Sequence, residues 1–375
     1  MDITLSKGLF PLGLAGDLAF CNRIKERAIL LNNIKACRHT LILSPRRYGK
    51  TSLATQVLEE HSIPHANVDF LLASDESKVE EYILAGVSRL ATQLLPLHKK
   101  ALQQLQKFMA SLKPSITFSH EGVRIDFTPG KKLKQNILDA LLGLDKLAAA
   151  QKKQIVFLMD EFQQIADLKD HETLEAAIRH AAERAKNTTY IFSGSHRHIL
   201  ADMFDSKERP LYHLCEHMNL SRIHAADYKP FLQKLAKKQW KINLDEIALN
   251  TILELTQRHP YYVNLLCGRL WRETKAPPAT EIEATWQILV AEERNRLADE
   301  LSILSPNQRA VLVTIAMQPT AQPTSRIFLA QTKLPAASYN QALNVLEKKD
   351  LLYRDDDNLL RPLNPVVEYM IRAKH

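Results

Sequence analysis

The residues best suited to chemistry fall in two short strings. The first is Leu41-Ile42-Leu43-Ser44-Pro45-Arg46-Arg47-Tyr48-Gly49-Lys50-Thr51-Ser52-Leu53. A buried strand, a tight basic loop ending in Gly-Lys-Thr and the start of a helix aim backbone N–H groups and a helix N-terminus at one point. That arrangement suits a polyphosphate. Lys50 would reach the β- and γ-phosphates, and the Thr51 hydroxyl would ligate Mg2+. Gly49 lets backbone approach the anion with no Cβ in the way. Ser44 stands where the motif G-x-x-x-x-G-K-[ST] has its first glycine.

The second string, Ile155-Val156-Phe157-Leu158-Met159-Asp160-Glu161, is five apolar residues closed by two carboxylates. A buried strand ending this way puts Asp160 at the carboxyl edge of a sheet, where open α/β folds receive ligands. Asp160 would then hold Mg2+ opposite Thr51. Glu161 would polarise the water that attacks the γ-phosphate, as a general base. Alone, the segment reads as a core strand with an acidic turn; in one chain with the phosphate loop it reads as the other half of a nucleotide site. No N-K-x-D run is present to select guanine, which favours ATP.

These strings need elements to hold them. Apolar residues at helical spacing predict a helix over 22–36, and Thr40–Leu43 reads as a strand. The alternation then continues: helix 50–60, strand 68–72, helix 79–95, helix 133–149, strand 155–159, helix 172–186, strand 190–193 and a last strand near 217–220. Strands alternating with helices imply a parallel sheet covered on both faces. Residues 97–130 interrupt the rhythm with a Lys-rich helix and a hairpin built on Ser115–Ser119 and Val123–Phe127. From 226 to 304 the pattern is wholly helical. Residues 305–375 give three short helices and a two-stranded wing around Asp355-Asp356-Asp357. The chain therefore divides into an α/β section over 1–225, a helical section over 226–304 and a third section over 305–375.

Length and composition agree with several globular domains: 375 residues at ~100–200 per domain predict two or three. With 45% hydrophobic residues and 25% charged, a disordered chain, a collagen or a coiled-coil rod is excluded. A net charge of +8 admits nucleic acid as a partner without requiring it. Cys21, Cys37, Cys215 and Cys267 are scattered with no C-x-x-C pair, which predicts a reducing compartment. The opening Met1-Asp2-Ile3-Thr4 lacks the basic start of a signal peptide. No run approaches the ~20 apolar residues of a membrane helix. A cytoplasmic, non-membrane protein is expected.

At this point the chain resembles the archaeal-type ATPases of the AAA+/STAND branch of P-loop proteins, also found in bacteria. The resemblance is carried by Phe20-Cys21-Asn22-Arg23 with Glu26, by Pro45-Arg46-Arg47-Tyr48-Gly49-Lys50-Thr51-Ser52-Leu53 and by Asp160-Glu161-Phe162. Ser193-Gly194-Ser195, His259-Pro260-Tyr261-Tyr262 and Arg361-Pro362-Leu363-Asn364-Pro365 extend it over nearly the whole chain. It implies an α/β P-loop NTPase core, an all-helical lid and a C-terminal winged-helix domain. It also implies ATP and Mg2+ as cofactors, with Pro45 to Ser52 around the phosphates and the adenine near Phe20, Arg23, His259 and Pro260. Ser193 and Ser195 resemble the polar sensors of the γ-phosphate. Arg209 occupies the expected place of an arginine acting on a neighbouring copy, with Arg46 and Arg47 as competitors for similar work. Arg258 replaces the glycine usual before His-Pro; this change and Ser44 bear on turnover more than on binding.

Other features are weaker. His196, His198, His213, Cys215 and His217 lack the paired close spacing of a zinc site. The lysines 229, 234, 237, 238 and 241 read as a solvated helix face. The wing's three aspartates would repel a phosphate backbone, so protein contact or an autoinhibitory lock competes with DNA binding for the winged helix. Three functions remain open: an ATPase that moves its lid and winged helix, a DNA-associated loader or initiator-like ATPase, and a nucleotide-dependent scaffold with negligible turnover. The partners implied are ATP or ADP together with a protein or a second copy.

Overall fold

The computed structural model describes residues 8–94, 115–119, 122–126 and 133–373. The expected Lys-rich helix within 97–114, the hairpin tip His120-Glu121 and the opening Met1–Lys7 lie outside the described residues. The chain divides into two compact units, one of Arg23–Ser221 and one of Met1–Asn22 with Arg222–His375.

In the first unit the order is α1 (Ile24–Lys35), β1 (Thr40–Leu43), α2 (Lys50–Glu60), β2 (His65–Asp69), α3 (Glu76–Leu94), the hairpin β3 (Ser115–Ser119) and β4 (Gly122–Asp126), and α4 (Leu133–Ala150). Then follow β5 (Ile155–Asp160), α5 (His171–Arg184), β6 (Thr188–Gly194), α6 (Arg197–Asp205) and β7 (Glu216–Asn219). Five strands form one parallel sheet in the order β2-β5-β6-β1-β7. The three central strands β5, β6 and β1 are buried along their whole length, as a parallel sheet covered on both faces requires. Their side chains build a core with Phe157, Tyr190, Phe192, Phe162 and Phe204. In it Phe162 sits edge-on to Phe192, ring centroids 4.8 Å apart. Because all five strands run the same way, their carboxyl ends share one edge, and both chemical strings meet it.

The sequence places β2 three residues too late. Its apolar run continues through Leu71 and Leu72, but pairing stops at Asp69, which lies in register with Asp160. There the Asp69 carboxylate accepts the Leu71 N–H at 2.8 Å, a side-chain turn that competes with the ladder. Leu71 and Leu72 are left exposed. Four short elements escape periodicity: the 3-10 turns Asp17–Ala19 and Phe162–Asp167, α6, and a last helix near the C-terminus.

The second unit contains α7 (Ala225–Trp240), α8 (Glu246–Leu255), α9 (Pro260–Leu270) and α10 (Ala279–Ser302). These are followed by α11 (Pro306–Met317), α12 (Arg326–Thr332), α13 (Ala336–Lys348), the antiparallel pair β8 (Leu352–Arg354) and β9 (Leu360–Pro362), and α14 (Pro365–Arg372). Among the described residues no helix is long and apolar enough to cross a membrane. Residues 8–22 group with this unit and not with the sheet to which the sequence reading attached them. Phe10 packs edge-on to the buried Trp271 at 4.8 Å, and Asn264 donates to the Pro11 carbonyl at 2.8 Å. The start of α11 is fixed by a reciprocal cap, in which Ser305 and Gln308 satisfy each other's backbone N–H groups and Pro306 opens the first turn.

The wing is anchored within its own unit. Buried Arg222 donates to the Gln257 carbonyl at 2.8 Å and the Leu363 carbonyl at 2.6 Å, and lies 3.8 Å over the Tyr353 ring. At the wing tip, Asp355 accepts the N–H groups of Asp357 and Leu359. Asp356 faces Arg258 at 2.6 Å and His224 at 3.3 Å. Burial would raise the Asp356 carboxyl, but the Arg258 hydrogen bond and charge, with His224, hold it below the ordinary carboxylate range.

His39 ties α5 to β6 inside the first unit. The Tyr190 N–H donates to its Nδ1 at 3.1 Å, so Nε2 carries the hydrogen and donates to the Ala182 carbonyl at 3.0 Å. Burial pushes the His39 pKa below 6.5, partly offset by that carbonyl. The unfolded chain therefore binds a proton here that the folded one refuses, and stability rises with pH through this window. Below pH ~6.5 stability should fall by up to about 1.4 kcal/mol per pH unit. Urea midpoints at pH 5.5 and 7.5 should show the loss, and His39→Gln should flatten it.

Candidate nucleotide site

The loop between β1 and α2 takes its shape from two residues in the left-handed region, Arg47 at φ 64° and Gly49 at φ 86°. Gly49 caps α2 with ψ 28°, and an ideal Cβ built there would meet no atom within 4 Å. Glycine is needed at 49 for backbone conformation, not for room among protein atoms. Ser44 is not among the positive-φ residues, so the position where the motif usually has glycine accepts an L side chain without strain. The Ser44 hydroxyl donates to the Pro45 carbonyl at 3.1 Å.

Lys50 is buried, and its ammonium donates to the carbonyls of Ser44 and Pro45 at 3.3 Å each. These are long for charge-assisted bonds, which suits a cation that a phosphate would recruit. Thr51 follows on the first turn of α2 and donates to Asp160 Oδ2 at 2.5 Å. Asp160 Oδ1 accepts from Ser193 at 2.6 Å and from the Glu161 N–H at 3.0 Å. The helix start and the ends of β5 and β6 are thereby joined at one carboxylate. Hydroxyl and carboxylate oxygens are the hard donors that Mg2+ takes, so Thr51 and Asp160 fit the metal expected of them. Among the described residues no group of three His, Cys, Asp or Glu is placed to hold a metal ion.

Glu161 also lies in the left-handed region, at φ 49° and ψ 39°. Its Oε2 accepts from Ser195 at 2.8 Å and from Gln163 at 2.6 Å, while Ser195 in turn accepts from Arg46 Nε at 3.2 Å. Arg46 and Arg47 are otherwise solvent-exposed. Asp69, at the end of the neighbouring β2, was not singled out from sequence. Burial pushes its carboxyl up, the Leu71 N–H offsets part of that, and the Asp160 and Glu161 charges add to the rise. Gln163 was also missed; its only sequence signal is its place two residues after Glu161, in a turn too short to show periodicity.

Within the first unit, two of the expected arginines are engaged by protein groups. Arg23 is a buried brace, donating to the Tyr48 carbonyl at 3.1 Å, the Ser221 carbonyl at 2.9 Å and the Glu26 carboxylate at 2.9 Å. It holds the back of the loop through Tyr48. Arg209 is engaged within its own chain by the buried Glu175 at 2.7 Å, with His171 at 3.4 Å. Burial raises the Glu175 carboxyl, and the Arg209 and His171 charges oppose it. Phe20, His259 and Pro260 belong to the second unit, where His259 precedes α9 and Pro260 is its first residue. Ser52 is buried inside α2.

Residues 297–360 match the family model of a probable winged helix domain. No curated protein sequence matches the chain. Compared by structure, the chain is similar to a Walker-type ATPase of Pyrococcus abyssi at 20% identity. The likeness covers 97% of this chain and 99% of that one, with a TM-score of 0.67. The chain shares the Walker-type ATPase fold. It is also similar to the Aeropyrum pernix ORC2 protein, at 13% identity with 94% and 95% of the two chains covered and a TM-score of 0.54 for its ADPNP–ADP complexes. The ADP form of that protein gives 13% identity, 93% coverage of each chain and a TM-score of 0.50. The architecture is the expected one: a P-loop NTPase core with a parallel sheet, a helical region and a C-terminal winged helix.

Within this Walker-type fold the conformation of Gly49 can be tested apart from ligand binding. Gly49→Ala should lower stability by roughly 1–2 kcal/mol, the cost of an L residue in the left-handed region, although no protein atom obstructs the new methyl group. Urea denaturation measures this directly; an unchanged midpoint would show that the loop relaxes.

Proposed function

We propose that the protein binds ATP with Mg2+ against the 44–52 loop and the carboxyl ends of β5 and β6, and hydrolyses it to switch the arrangement of its helical and winged-helix parts. The observation that carries this reading is the 2.5 Å contact of Thr51 with Asp160. It joins the expected metal-binding hydroxyl of the loop to the expected metal-binding carboxylate of β5. In the bound state the metal would neutralise phosphate charge, held by Thr51 and Asp160. Lys50 would move from the Ser44 and Pro45 carbonyls onto the β- and γ-phosphates, with the 45–52 backbone around them.

Hydrolysis forms a bond from a water oxygen to the γ-phosphorus and breaks the bond from that phosphorus to the β–γ bridging oxygen. Glu161 receives the water proton, while Ser193 and Ser195 fix the carboxylates of Asp160 and Glu161. Arg23 braces the loop through the Tyr48 carbonyl, and Arg209 is assigned to a neighbouring copy once it is released from Glu175. A protein or a second copy is the preferred partner. Two of the wing's acids, Asp355 and Asp356, already face cations of their own unit, and Lys229 pairs with Glu246.

Nucleotide titration and phosphate release test the reading. Lys50→Ala should weaken ATP binding at least tenfold. Glu161→Gln should keep binding and lower kcat by ~10²–10⁴, and chelation of Mg2+ should stop turnover. Lys50→Ala protein with ordinary ATP affinity would remove the phosphate-loop assignment. A rate stimulated by DNA and falling steeply with salt would replace the protein partner with nucleic acid.

A further inference from the structure

Gln163 is almost wholly buried, at 1% exposure, yet it carries four hydrogen-bonding sites next to the reacting edge. Its amide nitrogen donates to Glu161 Oε2 at 2.6 Å and to His196 Nδ1 at 3.3 Å. A carboxylate only accepts, so this contact fixes which end of the amide is nitrogen. The amide oxygen is then directed at Gly194 and has no hydrogen-bond partner. A Cβ built on Gly194 would lie 1.8 Å from that oxygen and 3.0 Å from the amide carbon. The missing side chain at 194 is thus the space in which the Gln163 amide rests. A buried acceptor left without a donor is costly, and here it accompanies the one amide posture that reaches Glu161.

The consequence falls on Glu161. Both of its side-chain hydrogen bonds, from Ser195 and Gln163, converge on Oε2. Among the described residues none donates to Oε1. A carboxylate gripped by one oxygen has a fixed plane and presents the other oxygen in a fixed direction. The backbone of Glu161, at φ 49°, gives the side chain an unusual departure from β5 that these contacts stabilise.

We infer that Gln163 is a positioning residue for ATP hydrolysis: seated on Gly194, it orients the Glu161 carboxylate so that Oε1 faces the attacking water. The inference rests on the hydrolytic reading above and extends it to two residues outside the phosphate loop and the Asp-Glu pair. Gln163 touches neither nucleotide nor water in this role; it acts through Glu161.

The test compares Gln163→Ala, Gln163→Glu, Gly194→Ala and the Gln163→Ala/Gly194→Ala double variant with wild type and Glu161→Gln. The readouts are kcat, KM and ATP affinity by titration. Gln163→Glu keeps the shape but replaces the donor with an acid beside Glu161. It should lower kcat by about ten- to a hundredfold, the scale of a misplaced catalytic group, with ATP affinity within about twofold of wild type. Gly194→Ala should do the same by displacing the amide. The double variant should be no slower than the slower single variant, because removing the amide takes away the 1.8 Å clash and leaves Leu200 Cδ1, at 3.0 Å, as the nearest of the other atoms. Wild-type kcat in Gln163→Glu beside an inactive Glu161→Gln would overturn this inference alone, as would losses that multiply in the double variant. Wild-type turnover in Glu161→Gln, or none in the wild-type protein, would overturn the hydrolytic reading and this inference with it. Should Gly194→Ala fail to fold, the Gln163→Glu result decides.

Discussion

A single buried carboxylate holds the candidate site together. Asp160 ends the buried strand β5 in surroundings where an unpartnered charge would be prohibitively expensive. It is satisfied by donors from three places: the first turn of α2, the end of β6 and its own next peptide. The Thr51 and Ser193 donors reach it because the sheet is parallel, so that the loop after β1 and the end of β6 lie at the same edge as the end of β5. The parallel order β2-β5-β6-β1-β7 thus does more than bury apolar residues. It gathers the loop after β1, the acidic end of β5 and the serines that close β6 on one side, and Asp160 makes the gathering energetically binding.

Much of this was legible in the sequence because it rests on local patterns. Five apolar residues before Asp160-Glu161 specify a buried strand, and Pro45 to Ser52 specify a loop leading into a helix; both are in place. What could not be read depends on register and on contacts between distant segments. The position of β2 was misjudged because Leu71 and Leu72 continue its hydrophobic run, whereas an aspartate two residues before Leu71 had already turned the chain. Gln163 carries no periodic signal at all. Its significance comes from a glycine on another strand, and no spacing rule links residues 163 and 194.

Arginines were the least legible residues of all. Arg23 and Arg209 both fit motif positions for nucleotide contact, yet each guanidinium is occupied within the first unit, Arg23 by two carbonyls and Glu26, Arg209 by Glu175. Arg222, which belongs to no motif, is the hub that ties the beginning of the helical region to the wing. A long planar cation with five donors serves an interior frame as readily as it serves a phosphate. Only the acceptors around it distinguish the two uses, and those come from far away along the chain.

The aspartate at the tip of the wing has a counterpart to these frames. The Arg258 guanidinium meets Asp356, with His224 on the same carboxylate. A surface that would otherwise be plainly acidic is electrically quiet at that spot. A visitor rich in lysine or arginine must compete with residues already present, and a polyanion gains nothing by arriving. Recognition by this edge of the winged helix is therefore governed by exchange of partners: whatever binds there must first supply a better match for Asp356 than the chain gives itself.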